Sequence, residues 1–133
     1  MAKYVYPAIF TKEKEGGYSV AFPDVPGCYT QGESLSEAIE MAEDALGLML
    51  YTYEDKEITI NPPSETNSFN LAENEIVTLI LCDTLEVRKE IDNRAVKKTL
   101  TLPSWLNTMA EKNNINFSAV LQSALVEKLG LTT

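Results

Sequence analysis

One stretch near the C-terminus, Val96-Lys97-Lys98-Thr99-Leu100-Thr101-Leu102-Pro103, constrains this chain more than any other. Successive side chains on a strand face opposite ways. Val96, Leu100 and Leu102 therefore share one face, and Lys97, Thr99 and Thr101 share the other. Pro103 cannot continue a ladder and suits the start of a helix. The piece that follows is small: residues 96–133 number 38 and contain no cysteine and no histidine. A domain below roughly 40 residues needs metal, disulfides or a partner to bury enough surface. Without cysteine or histidine, the partner remains. A lone strand also cannot satisfy its own backbone groups. Pairing with the same strand of a second chain solves both problems, and gives an antiparallel ribbon backed by helices.

The helices agree. Ser104 can cap the first, which carries Leu106, Met109 and Ala110 on one stripe. Asn113-Asn114 suits a left-handed stop. Asn116 or Ser118 can cap the second helix, whose stripe is Val120, Leu121, Ala124, Leu125 and Leu129, with Gly130 at its end. The order spells a ribbon-helix-helix. A two-stranded ribbon fits the major groove of B-DNA. Lys97, Thr99 and Thr101 from each chain are the candidate base-reading residues. Asn116, Phe117 and Ser118, at the second helix's start, are the candidate phosphate clamp. The plainer alternative is an edge strand and helical hairpin used only to dimerise.

Charge divides the chain. The total is −9; residues 96–133 hold four lysines against two glutamates, +2, which leaves −11 for residues 1–95. The C-terminal part can approach phosphate, whereas the rest favours a basic partner protein. A hydrophobic content of 44% over 133 residues is ordinary for one domain or two small ones. No apolar run approaches the roughly 20 residues of a membrane span, and no secretory signal pattern opens the chain. Together these predict a cytoplasmic protein with no membrane partner. Cys28 and Cys82 then read as free, packed thiols.

The first 83 residues spell strand, strand, strand, helix, strand. Tyr4–Thr11 is a strand whose Pro7 suggests an edge. Gly16-Gly17 turns the chain into Tyr18–Phe22, and a Pro-rich loop leads to Cys28–Gln31. Ser34 and Glu37 make a capping box for a helix over about 35–53. Its acids, Glu37, Glu40, Glu43 and Asp44, read most simply as solvated surface, or else as part of a docking surface. Pro62-Pro63 marks a loop. Ile76–Leu81 is a continuous apolar run, which suits a strand covered on both faces. Thr84–Ala95 reads as a charged hinge with some helix. The expected architecture is α+β, with an N-terminal β-β-β-α-β domain over 1–83, a linker over 84–95 and a ribbon-helix-helix over 96–133.

Enzymatic chemistry finds little support. The chain has no histidine, which removes the commonest general base and most zinc sites. It shows no phosphate-binding glycine loop. Asp24, Glu43 and Asp83 could in principle hold Mg²⁺, but isolated acids in an acidic chain usually mark surface. Cys28 has no base to activate it. No cofactor or metal is expected.

The run Gly17-Tyr18-Ser19-Val20-Ala21-Phe22-Pro23-Asp24-Val25-Pro26-Gly27-Cys28, then Thr30-Gln31-Gly32-Glu33-Ser34 and Glu37-Ala38, resembles the N-terminal signature of HicB antitoxins. Asp92–Pro103, with Trp105-Leu106-Asn107 and Ile115-Asn116-Phe117-Ser118, resembles the tail of the branch ending in a ribbon-helix-helix. The resemblance implies a truncated ribonuclease-H-like N-terminal fold without nuclease activity. It also implies a partner, a HicA-type mRNA-cleaving toxin, and a dimeric C-terminal domain that represses the operon by binding operator DNA. Two dimerisable parts would allow a tetramer. An acidic domain suits a basic RNA-binding toxin. The toxin contacts are expected around Tyr6, Phe10, Phe22 and Asp24, with Glu40 and Glu43 of the long helix; the alternative is that these aromatics are core. The competing function is a stand-alone regulator whose N-terminal domain senses another ligand or protein.

Overall fold

The computed structural model describes residues 3–131. The chain divides into two compact units, Met1–Arg94 and Ala95–Thr133. The first holds four strands, β1 (Lys3–Lys12), β2 (Tyr18–Ala21), β3 (Tyr29–Gly32) and β4 (Glu75–Asp83), with helices α1 (Leu35–Asp55) and α2 (Thr84–Ile91). The second holds α3 (Ser104–Lys112) and α4 (Phe117–Lys128).

The strands form one antiparallel sheet in the order β3-β2-β1-β4. Pro7 therefore lies in an inner strand. The exception is local: β2 accompanies only Ile9–Lys12, so β4 alone flanks β1 at Pro7, which pairs with Leu79. Pro7 is fully buried, but β2 does not reach it, so its missing donor costs no ladder bond to β2.

Tyr6, Ala8 and Phe10 of β1 and Ile80 and Cys82 of β4 alternate onto the face covered by α1, which buries Ala38, Ala42, Leu46 and Leu50 against them. These helix positions recur every four residues, the spacing of one buried stripe. The Ser34 hydroxyl accepts from the Glu37 amide at 3.2 Å and starts the helix as the sequence predicts. Gly32 ends β3 against that first turn. A Cβ there would sit 2.4 Å from the Ala38 amide nitrogen and 2.6 Å from its Cα, so only glycine lets the strand meet the helix so closely.

Two expectations change. Residues 84–91 are helix, capped by Asp83, whose carboxylate accepts from the Leu85 amide at 3.0 Å. Val87 packs toward Gly47, and the Arg88 guanidinium lies 4.8 Å from the Tyr51 ring and 3.7 Å from Glu54. This segment is thus a helix packed on α1 within the first unit. The second correction concerns Ile76–Leu81. It is a strand, but β4 is the last of the sheet, and only Ile80 and Cys82 are buried. Leu79 and Leu81 are 57% and 59% exposed. A continuous apolar run fits a doubly covered strand and a half-covered edge strand equally well, and strand order decides between them.

In the second unit, Pro103 takes the N-cap position of α3, and its carbonyl accepts from Leu106 and Asn107. Ser104 is the first helical residue and not the cap. Asn114 turns the chain at φ 55°, and the Asn116 side chain caps α4 by accepting from Ala119 at 3.0 Å. Residues 96–102 form no ladder. A single chain offers this segment no second strand.

Candidate protein-binding and nucleic-acid surfaces

No residue from 95 to 131 is buried. Val96, Leu100, Leu102, Met109, Val120 and Leu125 are all at least 43% exposed. Leu100, Leu102, Phe117, Val120, Leu121 and Ala124 line an open groove of about 450 Å³, bordered by Lys98, Asn107 and Ser118. Lys97, Thr99 and Thr101 are exposed in the segment leading into this groove, as are Asn116, Phe117 and Ser118 at the start of α4. The Asn116 carboxamide oxygen is occupied by its own helix. A phosphate at this helix start would therefore meet the remaining amides of the first turn and the Ser118 hydroxyl.

In the first unit, the aromatic residues expected to meet a toxin lie in the core. Tyr6, Phe10 and Phe22 are 2%, 1% and 3% exposed. The strand alternation that carries Tyr6 and Phe10 aims them at α1, so they are unavailable as surface anchors. Asp24 is half-buried and engaged inside the unit. Its carboxylate accepts from the Ser64 amide at 2.9 Å and from the Ser64 hydroxyl at 2.5 Å, while its carbonyl accepts from Asn61 at 3.2 Å. The Tyr6 hydroxyl donates to the Asn61 carbonyl. Burial, then the nearby Asp24 charge, raises the Tyr6 phenol above its ordinary pKa and keeps it a donor. Tyr6, Asp24, Asn61 and Ser64 together form a latch holding the Pro62-Pro63 loop. Of the expected contacts, Glu40 and Glu43 are exposed.

A second, half-buried network ties the long helix to the sheet. The Tyr4 hydroxyl donates to Glu54 at 2.7 Å and the Thr84 hydroxyl at 2.9 Å. Burial alone pushes the Glu54 carboxyl up; hydrogen bonds, those from Tyr4 and Thr84 among them, outweigh it and hold the group below the usual carboxylate range. Tyr4 is pushed up to about 12, by burial first and then by its bond to Glu54. Burial raises Cys28 and Cys82 to about 11 each. Both thiols are therefore protonated at neutral pH and unsuited to nucleophilic work.

A surface that sequence reasoning missed is the outer face of the sheet. Val5 pairs with Leu81, Pro7 with Leu79 and Ile9 with Val77, all on the side away from α1. Val5 is 43% exposed. The signal was present in the alternation of β1, whose odd positions Val5, Pro7 and Ile9 are as apolar as its even ones.

These features define a class: a two-unit α/β protein that pairs an acidic domain, partly exposed on one sheet face, with a small helical unit in which no described residue is buried. The family model of HicB-like antitoxins of bacterial toxin–antitoxin systems matches residues 6–125, and the chain belongs to that family. It is 47% identical over 64 residues to antitoxin HicB of Escherichia coli strain K12, a match covering 47% of this chain and 46% of that protein. The chain thus spans about half the length of that curated relative. It is 32% identical over 106 residues to an uncharacterised 14.9 kDa protein of Haemophilus phage HP1, covering 77% of this chain and 75% of that one. Among solved structures, a toxin–antitoxin complex from Streptococcus pneumoniae contains a chain that superposes with a TM-score of 0.62 at 27% identity, over 95% of this chain and 99% of that one.

Proposed function

We propose that this chain is a non-enzymatic antitoxin that neutralises a HicA-type mRNA-cleaving toxin and represses its own operon as a dimer. In this reading the first unit is a truncated ribonuclease-H-like toxin-binding domain and the second is a ribbon-helix-helix. Residues 96–102 pair with the same residues of a second copy. Lys97, Thr99 and Thr101 face the major groove, and the start of α4, Asn116–Ser118, holds phosphate. The protein works where operator DNA is, in the cytoplasm.

The observation that carries this reading is the second unit's failure to bury any described residue. Its apolar groove needs filling, and Leu100 and Leu102 of a partner strand are suited to fill it. The same pairing leaves Lys97, Thr99 and Thr101 on the opposite face, away from the helices. The charge division supports the other half: a basic toxin is attracted to the −11 of residues 1–95, while DNA meets a part of net charge +2.

The test is to co-express the chain with the adjacent small open reading frame, purify the complex, and assay RNA cleavage before and after separation, alongside operator binding. An inert stoichiometric complex, a freed partner that cuts RNA, and a specific shift of operator DNA are expected. A chain that binds operator but captures no RNA-cleaving partner would point instead to a stand-alone regulator.

A further inference from the structure

The free edge of β4 poses a physical problem. It is nine residues long, carries charge only at its ends, Glu75 and Asp83, and has neither lysine nor proline between them. Among the described residues its backbone is paired on one side only, with β1. Natural edge strands are usually blunted by lysine, proline, bulges or a covering element, because a flat apolar edge templates association. Here the register with β1 runs unbroken from Lys3–Asp83 to Thr11–Glu75, with no bulge. The exposed side chains beside the edge, Val5, Leu79 and Leu81, form one apolar row. An edge left in this state fits a surface covered by a partner.

Charge separates the candidate occupants. A second copy paired antiparallel along the whole strand would centre on Leu79. That register sets Glu75 of each copy opposite Asp83 of the other, like charge on like, between two domains that are both acidic. A basic partner meets the reverse situation. Leu81 also borders a cleft of about 400 Å³ that carries Glu43, Asp44, Asp83 and Glu90. The cleft lies on the α1 side of the β4 edge and the row on the other side, so a partner that straddles the edge meets apolar side chains on one side and acids that attract its lysine and arginine on the other.

We propose that the β4 edge and the adjoining row Val5–Leu79–Leu81 form the surface on which the basic toxin docks. The toxin lays an apolar strand or face on the row, and its cations lie over the Glu43–Asp44–Asp83–Glu90 rim. This assignment rests on the antitoxin reading above, and it moves the contact from the buried hairpin aromatics to the opposite face of the sheet.

The full chain and its co-encoded toxin provide the test, with affinity measured by calorimetry and RNA cleavage as the second readout. Leu79→Lys and Leu81→Lys place a repelling charge at exposed positions. Each is expected to weaken toxin binding by about tenfold to a hundredfold, the range of a central anchor, and to release RNA cleavage. Operator binding should stay unchanged, which also shows that the variants fold. Tyr29→Lys, 72% exposed on the strand at the other sheet edge, should leave toxin affinity within about threefold of wild type. Amide exchange along Glu75–Asp83 should slow on toxin binding, while exchange along Tyr29–Gly32 should not. If both leucine variants bind toxin as wild type does, the docking assignment is overturned and the antitoxin reading stands. If the variants instead lower the mass of the toxin-free assembly without affecting toxin affinity, the face joins copies of this chain and the assignment is again wrong. If the wild-type chain binds no toxin, the antitoxin reading fails, and the assignment fails with it.

Discussion

Removing part of one leucine should weaken the proposed C-terminal dimer by an amount that follows from the structure. Leu100 is 55% exposed in the single chain. Full burial of a leucine side chain stabilises by about 1.5–3 kcal/mol. Covering the exposed half in a dimer is therefore worth about 1 kcal/mol in each protomer, or about 2 kcal/mol per dimer, because the symmetry uses the residue twice. Leu100→Ala should forfeit most of that, and the cavity it leaves adds to the loss. The dimer dissociation constant should then rise about 30-fold. Sedimentation equilibrium over a wide concentration range reads this directly, and operator titrations at one fixed salt concentration should show the same shift in the protein concentration needed. Thr101→Ala, on the other strand face, should leave the dimer constant unchanged. A Leu100→Ala dimer constant within about threefold of wild type would refute the strand pairing, as would a wild-type chain that binds operator as a monomer.

Other outcomes follow from single contacts. Thr99→Ala or Thr101→Ala should weaken specific operator binding by about 1–3 kcal/mol per lost base contact, with Lys98→Ala affecting sequence preference less; specificity lost at Lys98 alone would mean the register is off by one. Gly32→Ala should cost about 2–3 kcal/mol in denaturant melts, because the new methyl meets the Ala38 backbone. Gly47→Ala should destabilise by about 1 kcal/mol: its added Cβ would sit 2.9 Å from Cγ2 of Val87, a β-branched side chain with one favoured helical rotamer, and the overpacking of about 1–3 kcal/mol exceeds alanine's helix preference of about 1 kcal/mol. The Glu54 carboxyl is held below its usual range, so the stability it contributes is fully present above its unfolded pKa of about 4.3 and is lost as pH falls through its lower folded value. Stability measured from neutral pH into that acid window should fall less steeply in Glu54→Gln than in wild type.

Local signals were legible wherever a residue acts on its own neighbours. Ser34 capping α1, Asn114 in the left-handed turn and Asn116 capping α4 all follow from short-range chemistry that tertiary contacts do not override. The buried positions Ala38, Ala42, Leu46 and Leu50 share one stripe because their spacing matches the helix. Less legible was where each element sits. Thr84–Ile91 reads as a hinge because its charges suggest solvent, yet Arg88 stacks on Tyr51 and reaches Glu54, two residues one turn apart on α1 and far from Arg88 in sequence. Tyr6, Phe10 and Phe22 looked like anchors because aromatic residues beside a Pro-rich loop suit either a core or an interface, and only α1's position shows that they face inward.

The sequence by itself determined the first three strands, the long helix with its cap and the division of charge, since periodicity, caps and composition are local or additive properties. Tertiary structure alone decided that β4 is an edge and that Leu79 and Leu81 stand exposed beside Val5. Alternation assigns side chains to two faces, but which face is covered, and which strand is last, depends on contacts between residues such as Val5 and Leu81 that lie far apart along the chain.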